Sequence, residues 1–244
     1  MKVRIKFAKY GVMKFIGHLD VMRFFQKAIR RADIDIKYSE GFSPHQTMSF
    51  AAPLGVGIES MGEYLDIEVN SLTSVEDMKE ALNQAMVEGM SVLDVTLLPD
   101  TVKNAMASVA AADYLVVYKA EDGAKNCPID DIEDKLAAFC AQESIMVTKT
   151  TKKSVLELDI KPGILEINTG KGINLPTKDA NDSFAFHMLL DASSSGNIKP
   201  VMVMEELMDF CHAEYEAHNW QIIRTETYTK SEDGELIPLA DVGK

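Results

Sequence analysis

Strand, helix, strand, strand, helix, strand is the order in which apolar periodicity changes along the first hundred of these 244 residues. A looser copy of the same order follows. Together they predict an α+β protein made of two tandem ferredoxin-like sandwiches, each with four antiparallel strands and two helices on one face. A 46% hydrophobic composition fills two modest cores. The expected divisions are 1–100, 112–230 and a C-terminal tail, 231–244.

The first round begins with Val3-Arg4-Ile5-Lys6-Phe7, which alternates as a half-buried strand does over 2–8. Residues 18–32 read as a helix with Leu19, Met22, Phe25 and Ile29 on its apolar face and Arg23, Lys27, Arg30 and Arg31 on another. Residues 46–52 and 62–69 read as strands joined through the Gly55-Val56-Gly57 turn region. Residues 75–88 form a second amphipathic helix, for which Ser74 is a suitable N-cap and Asp77 suits the dipole. A strand over 92–98 closes the round. The Ala-rich segment 104–112 suits a short linking helix.

The second round predicts a strand at 114–119, a helix at 129–141 and a hairpin of 145–150 with 155–160, linked by Thr151-Lys152-Lys153. After a Gly/Asn/Pro-rich excursion at 168–176 come a strand at 184–190, a helix at 201–212 and a strand at 220–228. Met202, Met204 and Met208 suit that helix's core side.

The formal charge of −13 opposes indiscriminate attraction to nucleic acid or anionic membrane. Residues 1–50 nevertheless hold ten Lys or Arg against four acids, a local +6, so the other 194 residues carry −19. Cys127, Cys140 and Cys211 are too far apart in sequence for a zinc ribbon, a three-cysteine cluster motif or a disulfide framework. The expectation is a cytoplasmic protein with no metal, signal peptide or membrane span.

Special residues crowd 17–57. His18 follows Gly17 at a helix start, where free N–H groups favour an anion, with Asp20 as the alternative partner of the dipole. His45 follows Ser43-Pro44, and the two histidines are candidate acid and base. Arg23, Lys27 and Arg30 recur at i, i+4, i+7 and could track a phosphate backbone, or be a solvated face. Tyr38, Phe42 and Phe50 could stack bases or fill the core. Ser39, Glu40 and Gly55 complete the binding candidates around this stretch. In the second half, Lys199 precedes a helix and could receive an anion. Glu205-Glu206 and Cys211, His212, His218 have no metal-ligand spacing.

The runs Gly17-His18-Leu19-Asp20, Tyr38-Ser39-Glu40-Gly41-Phe42-Ser43-Pro44-His45, Ser49-Phe50-Ala51, Pro53-Leu54-Gly55-Val56-Gly57 and Glu63-Tyr64-Leu65-Asp66, with Arg224-Thr225-Glu226 near the end, resemble the radical SAM-linked protein family. The resemblance implies a small partner, or C-terminal domain, of a cobalamin-binding radical SAM protein. Iron–sulfur cluster, S-adenosylmethionine and cobalamin would then belong to the partner enzyme alone. The implied role is an accessory or substrate-binding protein, acting on RNA or a ribosomal component rather than catalysing a reaction by itself. The tandem order is also similar to that of repeat-associated RNA-processing endonucleases, a likeness of fold alone. Two alternatives stay open: a metal-independent RNA-processing endonuclease using His18 or His45, and a purely protein-docking module.

Overall fold

The computed structural model describes residues 1–119, 127–150, 155–173 and 183–242. They form a mixed α/β protein with five α-helices among the described residues. The chain divides into two compact units, Met1–Ala110 with Arg224–Lys244, and Ala111–Ile223.

In the first unit, β1 (Lys2–Lys9), β3 (Glu59–Glu68) and β4 (Met90–Leu98) pair antiparallel in the order β4-β1-β3. The short strand β2 (Met48–Phe50) pairs with β3, setting Phe50 opposite Leu65. Helices α1 (His18–Arg31) and α2 (Val75–Gln84) seal one face, where Val3, Ile5 and Phe7 meet Phe25, Ile29, Met78 and Leu82. Phe7 packs edge-on against Phe25 and Phe50 at 4.6 and 6.1 Å between ring centroids. The Ser74 hydroxyl accepts from the Asp77 N–H and caps α2. The expected apolar face of α1 needs one correction. Val21, Phe25, Ala28 and Ile29 are buried, whereas Leu19 points to solvent from the first turn.

The linking helix is one turn, α3 (Ala105–Ser108), and strand β5 begins already at Ala111 (Ala111–Tyr118). The second unit continues with α4 (Ile132–Cys140), β6 (Met146–Thr150), β7 (Val155–Asp159), β8 (Ile164–Lys171), β9 (Phe184–Asp191) and α5 (Pro200–Phe210). Its strands run β5-β9-β8, with the first residues of β10 (Trp220–Lys230) beside β5. Two differences from expectation stand out. The β6–β7 hairpin forms a two-stranded sheet of its own, and much of the expected excursion at 168–176 is strand, since β8 pairs along β9. Residues 174–176 of that excursion, and the Thr151-Lys152-Lys153 link, lie outside the described residues. Phe186 packs on Trp220 at 5.7 Å and Phe139 on Phe210 at 5.7 Å, while Val203, Met204, Leu207 and Met208 of α5 are buried.

The unit boundary falls within β10, and from Arg224 the chain belongs to the first unit. There β10 runs beside β3 so closely that a Cβ on Gly62 would lie 2.5 Å from the Glu226 Cα. The last strand, β11 (Leu236–Pro238), pairs with β10. Tyr64, Ala105, Leu239 and Ala240 make a second small apolar cluster with Ala51. Strand alternation puts Arg4, Lys6, Tyr64 and Asp66 on the face opposite the helices, so this cluster covers that face.

Candidate functional site

Lys9, which alternation alone would leave facing solvent or core, is almost fully buried. Its ammonium donates to the Lys14 and Ile16 carbonyls at 3.4 and 3.3 Å. Burial pushes its pKa below the usual lysine value, with Glu63 opposing the fall and Arg224 adding to it. Around it, Arg224 lies 3.1 Å from the Glu63 carboxylate and donates to the Ala52 carbonyl at 2.8 Å. Ser60 donates to Glu63 at 2.7 Å. Lys14 pairs with buried Glu59 at 3.1 Å, and the Lys14 carbonyl also accepts from the Gly57 N–H at 2.8 Å. Two connections are thereby tied together: the 3₁₀ turn Gly11–Phe15 that leads into α1, and the 51–58 link between β2 and β3. Gly89, at φ +88, closes on the same turn; a Cβ there would meet the Tyr10 carbonyl and Met13 side chain at 2.7 Å.

A second polar network lies on the opposite face. Arg4 makes a two-pronged pair with Asp66 at 2.8 and 3.0 Å and donates to the Leu239 carbonyl, while Asp66 accepts from the Ala105 N–H. Glu226 bridges Lys6 at 2.5 Å and the Tyr64 hydroxyl at 2.6 Å. Burial and the Glu226 carboxylate push the Tyr64 phenol well above its ordinary range. Lys6 and Glu226 border a groove of about 330 Å³ together with Asp94, Asp241, Leu93 and Pro238. Both networks went unread in the sequence, where charged residues on a strand suggest a wet face. The available signal was complementarity: cations on β1 stand against acids on β3, Arg4 directly across from Asp66.

Outside the first network sits an apolar surface. Val12, Phe15, Leu19 and Val56 are 76%, 65%, 60% and 62% exposed. Val12 and Phe15 share one side of the 3₁₀ turn, Leu19 stands in the first turn of α1 beyond the extended Ile16 and Gly17, and the Gly57 N–H to Lys14 bond holds the link that carries Val56 against the 3₁₀ turn. The Lys14 ammonium lies 5.5 Å from the Phe15 ring centroid. Four large apolar side chains are thus left in water on or next to the two tied connections.

The expected site residues distribute as follows. His18 opens α1 with its ring edge-on to buried Phe50 at 5.1 Å. Asp20 and Arg23 make an exposed pair at 3.4 Å, Lys27 is exposed, and Arg30 donates to the Gln26 carbonyl. Ser39 and His45 are brought together: the Ser39 hydroxyl accepts from the His45 N–H and lies 2.8 Å from its Nδ1, and the Ser39 N–H donates to the His45 carbonyl. This double clasp closes a loop whose tip holds exposed Glu40, Gly41 at φ +109 and fully exposed Phe42. Gly55 is exposed in the 51–58 link, and Lys199 is an exposed N-cap residue of α5 in the second unit.

The structure gives the two histidines different neighbours. His18 sits at the start of α1 against Phe50, whereas exposed His45 bonds Ser39 across the base of its loop. Phe50 is core, and only Phe42 and Tyr38 of the three aromatics are exposed. Burial pushes the Cys127, Cys140 and Cys211 thiols up, away from the thiolate a metal needs. Among the described residues no group of three or more His, Cys, Asp or Glu is arranged to hold a metal, and no helix is long and apolar enough to cross a membrane.

No curated protein matches the chain. Residues 2–200 of the 244 match a family described as an uncharacterized protein conserved in bacteria. That span takes in all of the paired strands β1 to β4, the buried Lys9 and Glu63, the clasped loop and most of the second unit, and the chain belongs to this family, DUF2344.

Proposed function

We propose that the protein is an accessory docking component, working with a radical SAM enzyme as the sequence resemblance implies, and contributing a binding surface rather than a reaction. One observation carries this reading: Val12, Phe15 and Val56 stand exposed on two connections that buried ion pairs hold in place, with Leu19 exposed in the first turn of α1 that follows. A preorganised apolar surface loses little conformational freedom on association, so more of its contact energy appears as affinity. Cleavage by a histidine pair is less well supported, because His18 rests on Phe50 and His45 is clasped to Ser39. Base stacking on the first sheet is likewise disfavoured, since its outer face is covered by Ala105, Leu239 and Ala240. Iron–sulfur cluster, S-adenosylmethionine and cobalamin would reside in the enzyme partner, and RNA or a ribosomal component would be what the pair acts on.

We further read both units as ferredoxin-like. In the first, the order β4-β1-β3-β2 supports it; in the second, β10-β5-β9-β8 does, with β6–β7 as an inserted hairpin.

The test is purification of the chain from its host with the radical SAM enzyme, with and without nuclease. A stoichiometric complex that survives nuclease supports docking. Recovery of RNA alone, or a complex lost on nuclease treatment, overturns it.

A further inference from the structure

We infer that the occupant of the Val12–Phe15–Leu19–Val56 surface is an acidic amphipathic helix of the partner protein, lying along the exposed face of α1. The inference rests on the docking reading above and specifies the chemistry of its partner. On α1, Leu19, Arg23 and Lys27 follow one another at four-residue intervals, so one ridge of the helix starts apolar and continues cationic. The 14 residues of α1 span about 21 Å, the length of a partner helix of roughly four turns. Such a helix would seat Leu- or Phe-type side chains between Phe15, Leu19 and Val56, and carry Asp or Glu at four-residue spacing toward Arg23 and Lys27.

Charge complementarity selects this occupant. Helix α1 holds four cations, Arg23, Lys27, Arg30 and Arg31, against the single acid Asp20, in a chain whose formal charge is −13, so an acidic segment is repelled by most of the molecule and drawn to this helix. Nucleic acid fits less well: Val12, Leu19 and Val56 are aliphatic, Phe15 is the single ring among the four, and Asp20 stands within the cationic stripe, paired to Arg23 at 3.4 Å.

Site-specific photo-crosslinking in the host tests this on the full chain. Phe15 and Lys27 are replaced, separately, by p-benzoylphenylalanine, and crosslinked peptides are sequenced by mass spectrometry. The expected result is that both positions capture neighbouring residues of one helix in one other protein, with an apolar stripe flanked by acids. In addition, Arg23→Glu with Lys27→Glu should lower capture at position 15 by about tenfold or more, while Arg23→Lys with Lys27→Arg keeps it within about twofold. Circular dichroism of both variants checks that they fold. Capture of a neutral or basic segment, or insensitivity to charge reversal, overturns the acidic helix and leaves docking standing. Capture of this chain's own peptides or of RNA overturns the inference, and no capture at either position overturns the docking reading as well.

Discussion

Arg224 and Glu63, 6% and 7% exposed, show how a few ionic groups fix the candidate surface. Removing one partner of a buried pair leaves the other's charge unsolvated. Arg224→Met should therefore cost about 3 kcal/mol in urea unfolding and release the Ala52 carbonyl. Lys9 supplies a pH signature. Its folded pKa is lowered below the usual 10.5, so the unfolded chain binds this proton more tightly than the folded one. Stability gains from Lys9 must then rise as pH climbs through the lowered pKa toward 10.5, and be absent below it. The difference in unfolding free energy between wild type and Lys9→Met, measured from pH 7 upward, should favour wild type increasingly with pH; a flat difference would show Lys9 to be solvated. None of this was readable residue by residue, because a lysine or arginine in an alternating strand is assigned to water until its cross-strand acid is known.

At the scale of elements, the paired period-two and period-3.6 segments were legible, and their ends moved by a few residues. β8 was missed for a physical reason: Asn168, Thr169, Gly170 and Lys171 lie in the end strand of the second unit's sheet order and are half or fully exposed, so no apolar alternation marks them. Leu19 was assigned to the α1 core by spacing, yet the first turn carries it to the exposed side; the misreading concealed a part of the candidate surface. The clasped loop 39–45 was legible as a site by its special residues, but the Ser39–His45 pairing that shapes it was not. Ser39→Ala should raise amide exchange across that loop several-fold while moving the melting temperature by no more than about 2 °C, since the lost bonds are exposed. Gly62→Ala should act differently. Backbone atoms of Glu226 occupy the space its Cβ needs, so β3 and β10 must separate, at a cost of about 2 kcal/mol or more in chemical denaturation.

For the whole molecule, the sequence suggested consecutive domains, whereas the chain from Arg224 onward joins the first compact unit. Periodicity identifies a strand but not its partner, and a return across more than a hundred residues leaves no local trace. The same holds for the surface: the +6 of the first 50 residues was visible, but only the fold ties the turn that carries Val12 and Phe15 to the link that carries Val56. The most direct measurement is the dissociation constant between this protein and the radical SAM enzyme of its host, determined by calorimetry for wild type and for Phe15→Ala with Leu19→Ala. The docking account predicts a stoichiometric complex weakened about thirtyfold or more by the double variant, with an unchanged circular dichroism spectrum. Equal affinity of the two proteins, or no complex with either, would contradict it.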